Sequence, residues 1–395
     1  MLAEEVVDDV VAWAIKSRIP TPCYLFSPAG VRMGVSQLRE SLPGRISYVT
    51  KANAHPRMLR ELEPLVDEFN VTNPVHLDTL LALGVDPSRV TFLNPVSTLE
   101  TLSAVLARGI TRFVVDDARG LWLLRRAGRA VGPLRLTLRL QPSDSADSER
   151  SVVRFGNSAP VLRALVRDAV TAGDRIEALS FFVGTARELR ADGFPFRGAI
   201  EEVARLREQL ERDGVPVPAV NIGGGFPGSR RRFYAEFPEF FPQIAKSLAQ
   251  CLPADTDVVC EPGRFLSEPS MGILTRVIAD RVVAGRRLVY LDASAFGGLF
   301  ETSFIETGGT RLCIGYARRA AALSAADVLG PVMDSFDVVK RGALLPPLAE
   351  GEVLVLPNVG AYSWGYSTRC EGLGDLRIVD VPDHLDAGFA AAWYG

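Results

Sequence analysis

The sequence predicts an α/β protein in which a (β/α)8 TIM barrel precedes a C-terminal antiparallel β domain. The first observation is length, since 395 residues exceed the roughly 250 that such a barrel needs. The second is an alternation of short apolar runs with amphipathic stretches over about 220 residues. The third is a change after Pro262 to apolar runs joined by glycine-rich turns, which is typical of a β-rich domain.

Short β-branched or apolar runs mark the predicted barrel strands. They are Ile46–Thr50, Glu68–Thr72, Val90–Leu93, Arg112–Asp116, Leu134–Leu140, Leu179–Val183, Ala219–Ile222 and Val258–Cys260. The stretches between them predict helices, for example Pro74–Leu83, Thr98–Arg108, Ala199–Arg212 and Phe240–Cys251. This alternation favours a closed parallel barrel over an open doubly wound sheet, which usually has fewer strands.

The two ends of the chain flank the predicted barrel. A helix at about 4–17 and a strand at Tyr24–Ser27 lie within residues 1–27, which we expect to join the β domain. The barrel then spans residues 28–265 and the β domain 266–395. The predicted strands of the β domain are Gly272–Val283, Arg287–Leu291, Val353–Leu356 and Leu376–Val379. The segment Gln141–Arg150 is rich in serine and aspartate, so we expect a mobile loop there.

Composition argues against several classes of partner. A net charge of −3 provides no positive surface for nucleic acid or an anionic membrane. No apolar run approaches the ~20 residues of a membrane span, and the acidic, amphipathic N-terminus is unlike a signal peptide. Five cysteines without metal spacing and only three histidines argue against a metal site and favour a reduced, cytoplasmic location. We therefore expect a small-molecule substrate.

Unusual residues lie at the carboxyl ends of the predicted strands, where a barrel carries its active site. They are Lys51 after strand 1, Arg139 in strand 5, Phe182 in strand 6, Gly223, Gly224 and Gly225 after strand 7, and Glu261 and Arg264 after strand 8. Taken alone, each feature also fits a structural role without function: the lysine a solvated side chain, the glycines a flexible turn and the glutamate an exposed residue. Their joint placement at one end of the barrel indicates a shared site.

These residue types fit pyridoxal 5′-phosphate (PLP). Three consecutive glycines let the backbone approach a phosphate and donate several N–H groups to it, and Arg264 can add a bidentate charge. Lys51 can form a Schiff base with an aldehyde. Glu261 can bond a pyridine nitrogen, which keeps the ring protonated and able to accept electrons. The pattern therefore predicts a PLP enzyme whose cofactor is linked to Lys51.

The sequence also resembles the fold-type III PLP decarboxylases, which include ornithine, lysine and meso-diaminopimelate decarboxylases. The resemblance runs from Tyr24 to Gly374 and rests on the motifs YVTKANAHP, VNIGGGFPG, CEPGRFL, GPVMDSFD and NVGAYS. It implies the two-domain architecture of alanine racemase and a homodimer. It also implies that the active site is shared across the dimer interface.

The resemblance implies a role for each matching residue. Lys51 would carry the cofactor, Arg139 would lie near its ring, Gly223 to Gly225, Arg264 and Tyr362 would hold its phosphate, and Glu261 would pair with its pyridine nitrogen. Asp334 would come from the other subunit and bind the distal amine of the substrate. Cys370 lies near the position where the family places substrate-facing residues.

Four positions depart from the family pattern. Phe182 stands where the family usually has a histidine stacked on the cofactor; phenylalanine can stack but cannot hydrogen-bond or carry charge. Met333 stands where the decarboxylases usually have a cysteine that helps to protonate the carbanionic intermediate, and a thioether has no proton to give. Asn70 replaces a common aspartate, and His76, a candidate substrate contact, replaces a common glutamate. The departures indicate either tolerated drift in a slower enzyme or a changed reaction.

Three functions remain open from the sequence. The first is decarboxylation of an amino acid with a distal amine, free or conjugated, in which Lys51, Glu261, Met333 and Asp334 form the catalytic set. The second is altered PLP chemistry, because Met333 and Phe182 replace the usual cysteine and histidine; His76, Tyr362 or a water could then protonate Cα. The third is a non-catalytic binding or regulatory relative, which has no physical need for Lys51, Glu261 and Arg264.

Overall fold

In a computed structural model of the chain, the described residues are 3–128, 131–143, 154–184, 195–228, 238–301, 315–316 and 321–394. The loop expected at Gln141–Arg150 therefore lies largely outside the described residues. Among these residues, one compact unit comprises those between Val35 and Phe226 and between Glu236 and Gly263. The other comprises residues of 1–34, 227–235 and 264–395.

The first unit contains a closed barrel of eight strands that pair in parallel, which confirms the predicted fold class. The strands are Arg45–Val49, Glu68–Val71, Val90–Phe92, Arg112–Val115, Arg135–Leu140, Arg175–Phe181, Ala219–Asn221 and Asp257–Cys260. Nearly all of their residues are buried, as expected for a parallel sheet covered by helices.

Helices alternate with the barrel strands. They include Pro56–Leu62, Pro74–Ala82, Leu99–Leu106, Ala118–Ala127, Ala159–Thr171, Pro195–Arg212 and Phe240–Cys251, and Pro28–Ser41 precedes the first strand. Asn73 starts the helix Pro74–Ala82 as its N-cap, since its side chain accepts a hydrogen bond from His76 N at 2.9 Å. Proline at the first helical position is typical of such a start.

Charged side chains near the amino-terminal ends of the strands form an ion-pair network on the barrel floor. Arg112 lies 2.8 Å from Glu68 and 2.9 Å from Glu177. Arg45 and Arg135 extend the network, because Arg45 pairs with Glu68 and Asp257 and Arg135 pairs with Glu177. Since barrel active sites lie at the opposite strand ends, we assign this network to stability.

The second unit is a mainly antiparallel sheet. Its strands are Cys23–Phe26, Met271–Val283, Arg286–Leu291, Gly315–Tyr316, Ser324–Leu329, Val338–Leu345, Val353–Leu356 and Ile378–Asp380. Two pairs are parallel, Cys23–Phe26 with Ile378–Asp380 and Arg286–Leu291 with Ser324–Leu329. The helices Ala3–Lys16, Arg264–Ser267 and Asp383–Tyr394 belong to the same unit. In the part of the chain that the structure describes, no helix has both the length and the apolar character to cross a membrane.

Candidate active site

Lys51 lies two residues beyond the first barrel strand, at the end where the strands terminate. Its side chain reaches solvent, yet the surrounding protein partly desolvates the ammonium group, which is the main reason that the pKa of Lys51 falls below its ordinary value. The positive charge of Arg139 lowers the pKa further, while the negative charge of Glu261 opposes the shift. Lys51 is therefore more readily available as a neutral amine than a surface lysine.

Glu261 follows the last barrel strand directly and is held by two amides. Its Oε1 accepts hydrogen bonds from Asn221 Nδ2 at 2.7 Å and from Asn70 Nδ2 at 3.0 Å. Burial raises the pKa of Glu261, while the hydrogen bond from Asn221, the charge of Arg139 and the hydrogen bond from Asn70 act against this shift. Both amides bind the same oxygen, so the carboxylate is fixed in one orientation.

Each of the three glycines after the strand Ala219–Asn221 packs closely against a backbone carbonyl oxygen. A Cβ on Gly223, Gly224 or Gly225 would lie 2.4, 2.3 or 2.2 Å from a carbonyl oxygen. Gly223 and Gly225 also have φ of +68° and +86°, a conformation that L-residues with a side chain rarely adopt. Asn221 Oδ1 accepts a hydrogen bond from Gly223 N at 2.9 Å. The turn therefore requires glycine, and Gly224 packs against the backbone of Glu261.

Arg139 lies between two aromatic rings. Its guanidinium carbon is 5.6 Å from the ring centre of Phe155 and 5.7 Å from that of Phe182, within the range of cation–π attraction. The ring of Phe182 also lies near Gly225, since a Cβ placed there would be 3.6 Å from Phe182 Cε2. Phe182 thus joins the arginine to the glycine turn, a link that the sequence did not predict.

His76 lies in the first turn of the helix Pro74–Ala82 and contacts the residue before Lys51. Its Nδ1 is 3.1 Å from Thr50 Oγ1. Burial lowers the pKa of His76, so the ring is mainly neutral near pH 7. The structure therefore brings together Lys51, His76, Arg139, Phe182, the glycine turn and Glu261 at the carboxyl ends of the strands.

Arg264 and Tyr362, the other residues predicted at the phosphate, lie in the second unit. The Arg264 guanidinium is 4.9 Å from the ring centre of Tyr362. Its Nη1 is also 2.8 Å from Glu268 Oε2 and 2.7 Å from Glu301 Oε2. Against the opposing effect of burial, Glu301 and Glu268 raise the pKa of Arg264, so the guanidinium is charged, and the same two carboxylates occupy donors that a phosphate would use.

The predicted substrate residues of the second unit lie on two adjacent loops. Met333 N donates to Glu371 Oε1 at 3.3 Å, which brings the Met333 loop beside Cys370. Asp334 Oδ1 accepts from Phe336 N at 2.8 Å. The side chain of Met333 is 96% exposed.

Asp337 holds the loop that carries Met333 and Asp334. Its buried carboxylate accepts hydrogen bonds from Ala295 N at 2.7 Å, and from Val332 N and Ser294 Oγ at 2.9 Å each. A Cβ on Gly330 would lie 2.2 Å from Asp337 Oδ2. The backbone of this loop is therefore held by Asp337 at its base, and by Asp334 at its tip through the bond to Phe336 N.

The residues of the barrel unit fit PLP. A lysine with a lowered pKa can bond the aldehyde, and a glycine turn without room for a Cβ gives backbone N–H groups close access to a phosphate. Among the described residues, Asn70 and Asn221 engage Oε1 of the half-buried Glu261 carboxylate, so its Oε2 can accept a hydrogen bond from a protonated ring nitrogen. Sequence reasoning missed Asn221 and Phe155; Asn221 could have been found as the polar residue that precedes the glycines.

The fold and the site define a PLP-dependent lyase of the amino-acid decarboxylase class, built on a (β/α)8 barrel. Residues 29–268 match the family described as "Pyridoxal-dependent decarboxylase, pyridoxal binding domain". The chain belongs to this family, which confirms the resemblance and the predicted cofactor.

Three similar proteins illustrate the range of the family. Lysine/ornithine decarboxylase of Selenomonas ruminantium is 26% identical over 91% of this chain and 89% of its own length. Antizyme inhibitor 2 of Xenopus laevis is 23% identical over 82% of this chain and 73% of its own. The agmatine-bound structure of the Paramecium bursaria Chlorella virus arginine decarboxylase superposes with a TM-score of 0.83 at 22% identity, covering 95% of this chain and 100% of that one.

Proposed function

We propose that the protein decarboxylates an amino acid with a distal amine, of the ornithine, lysine or diaminopimelate type, in free or conjugated form. The observation that carries this proposal is the Glu261 carboxylate, which two amides hold at the same end of the barrel as Lys51. The Selenomonas lysine/ornithine decarboxylase and the agmatine-bound viral enzyme support a basic substrate.

Each residue of the proposed site has one task. Lys51 would hold the cofactor through its side-chain amine and would yield that position to the amine of the substrate. Gly223 to Gly225, Arg264 and Tyr362 bind the phosphate, and Arg139 and Phe182 lie against the ring. When bound, PLP would supply an acceptor for the electron pair left at Cα on loss of carbon dioxide. Glu261 keeps the ring nitrogen protonated, and a proton donor then completes the amine at Cα.

The domain assignment is part of the proposal. Residues 28–265 would be the PLP-binding barrel, with residues 1–27 joining 266–395 in the β domain. The match of residues 29–268 to the pyridoxal binding domain supports these limits.

A panel of ornithine, lysine, diaminopimelate and arginine tests the reaction. We expect carbon dioxide and the corresponding amine in equal amounts from at least one substrate. Carbon dioxide with an aldehyde, or turnover without carbon dioxide, would instead favour altered chemistry. Met333 and Phe182 support this alternative, because neither side chain has a proton that it can donate. A protein that binds no PLP would be a regulatory relative, a possibility raised by the similarity to antizyme inhibitor 2.

We also propose a homodimer in which Met333, Asp334 and Cys370 complete the active site of a second copy. Met333 is 96% and Phe336 is 73% exposed on the same loop. Two large apolar side chains exposed on one loop favour an interaction surface there. An obligate interface of this kind would bury over ~2,000 Å².

Subunit mixing tests the shared site. Lys51→Ala and Asp334→Ala proteins are each expected to be inactive, whereas a refolded equal mixture should recover about one quarter of wild-type activity, because random pairing gives half the dimers one intact site out of two. Activity is measured as carbon dioxide release, and subunit exchange is verified with tagged chains. If exchange is complete and no activity returns, the two residues do not act in one shared site.

A further inference from the structure

The contacts of Thr50 determine which ring nitrogen of His76 carries a proton. Thr50 Oγ1 lies 2.9 Å from the carbonyl oxygen of Asn70 and 3.1 Å from His76 Nδ1. A carbonyl oxygen has no proton, so the single hydroxyl proton of Thr50 must lie in its bond to Asn70. The hydroxyl oxygen therefore accepts from His76, which requires a proton on Nδ1. The neutral ring then carries its lone pair on Nε2.

The remaining links also have a fixed direction. Asn221 Oδ1 accepts from Gly223 N at 2.9 Å, which assigns the orientation of its amide and leaves Nδ2 to donate to Glu261. Asn70 Nδ2 donates to the same carboxylate oxygen. The backbone of Asn70 is held in turn, since its carbonyl oxygen also accepts from Thr50 N at 3.0 Å. His76 is thus linked to Glu261 through Thr50 and Asn70, with Asn70 accepting at its backbone carbonyl and donating from its side-chain amide.

Two departures from the family pattern lie in this series. An aspartate at position 70 would place a second carboxylate beside Glu261 and could not donate to it when ionised. An ionised glutamate at position 76 could not donate to Thr50 for the same reason. Asn70 and His76 can both donate a hydrogen bond, which an ionised carboxylate cannot do.

We propose that His76, Thr50 and Asn70 form a directed hydrogen-bond chain that orients Glu261, with Oε1 held by Asn70 and Asn221 and Oε2 left for the ring nitrogen of the cofactor. His76 and Asn70 are positioning residues in this chain. His76 presents Nε2 as an acceptor, so it does not protonate Cα near pH 7. The last link, from Oε2 to the ring nitrogen, rests on the proposed function; the links from His76 to Glu261 do not.

Nitrogen-15 NMR of the histidine rings tests the direction of the chain in the full-length protein, with and without added PLP. The chain has only three histidines, and His76→Gln identifies the signals of His76 by their loss. We expect a protonated Nδ1 in the wild-type protein, its retention in Thr50→Ser, and a shift towards protonated Nε2 in Thr50→Val. A wild-type protein with protonated Nε2, or identical spectra for Thr50→Ser and Thr50→Val, would overturn the proposal.

Cofactor affinity gives a second measurement. PLP titration followed by absorbance should show about tenfold weaker binding in Thr50→Val and in Asn70→Asp, and an affinity close to wild type in Thr50→Ser. Equal affinity in all four proteins would contradict a role in orienting Glu261. If the wild-type protein forms no visible band with PLP, the proposed function is wrong, and the histidine spectra still decide whether the chain exists. If Thr50→Val does not fold, His76→Leu replaces it, with His76→Gln as the variant that can still donate to Thr50.

Discussion

Lys51→Ala is expected to abolish covalent attachment of PLP and to lower decarboxylation by at least about 10³-fold. Without the lysine amine, the cofactor is held only by its phosphate and ring contacts. The substrate amine would then have to react with the free aldehyde of the cofactor, without the activated linkage that Lys51 provides. Carbon dioxide release measures the loss of activity, and absorbance of the dialysed protein measures the loss of cofactor.

Borohydride reduction identifies the attached residue directly. The chain has four lysines, which are Lys16, Lys51, Lys246 and Lys340, so three of them serve as internal controls in one peptide map. We expect the reduced cofactor on Lys51 alone. A label on another lysine, or on none, would contradict the proposed site.

The attachment rate should also depend on pH in a defined direction. Only the neutral amine attacks an aldehyde, so the rate rises with pH through the pKa of Lys51. Because burial and Arg139 lower this pKa, the rise should be complete at a lower pH than for an ordinary lysine. Arg139→Gln should move the curve to higher pH, and an unchanged or opposite shift would show that Arg139 does not act on Lys51.

Met333→Cys is expected to raise the yield and rate of simple amine, by up to about 10²-fold, if Met333 lies where a proton donor is needed. Loss of carbon dioxide depends on Lys51 and Glu261, which are present, whereas protonation at Cα needs a donor that a thioether cannot be. The measurement is the ratio of amine to all other products, together with the rate of carbon dioxide release.

Met333→Leu is the matched control, because leucine is similar in volume and also has no proton to give. It should behave like the wild-type protein. If the wild-type protein, Met333→Leu and Met333→Cys form amine at the same rate, the methionine is drift and another group supplies the proton.

The barrel was predictable because its apolar runs recur at regular intervals. The strand Arg175–Phe181 was recognised only from Leu179. Two of its first three residues, Arg175 and Glu177, are charged, and Glu177 belongs to the floor network through Arg112 and Arg135. A local apolar pattern cannot reveal a charge that is neutralised by residues about 40 to 65 positions away. The C-terminal helix was missed for a related reason, since its alanine-rich sequence has little amphipathic pattern.

The site residues that could be predicted are those whose role follows from their place at the end of a barrel strand. Lys51, the glycine turn and Glu261 follow strand ends, and this placement can be inferred from sequence. The amide pair on Glu261 could not be inferred, because Asn70 and Glu261 are separated by 191 positions. The contact of Arg139 with Phe155 and Phe182 likewise depends on the folded barrel.

The hydrogen bonds that the Asp337 carboxylate accepts have a consequence for how this enzyme family can diversify. Three donors bind the Asp337 carboxylate, and none of them comes from the side chains of Met333, Asp334 or Phe336. The side chains of Met333 and Phe336 can therefore be exchanged while the path of the main chain is kept, whereas Asp334 also binds the backbone at Phe336 N. Single substitutions at these positions can therefore change the reactivity of the loop without changing its backbone conformation. A saturation library at positions 333 and 336 should yield many folded variants, whereas Asp337→Ala should remove the hydrogen bonds that hold the loop on which they are displayed.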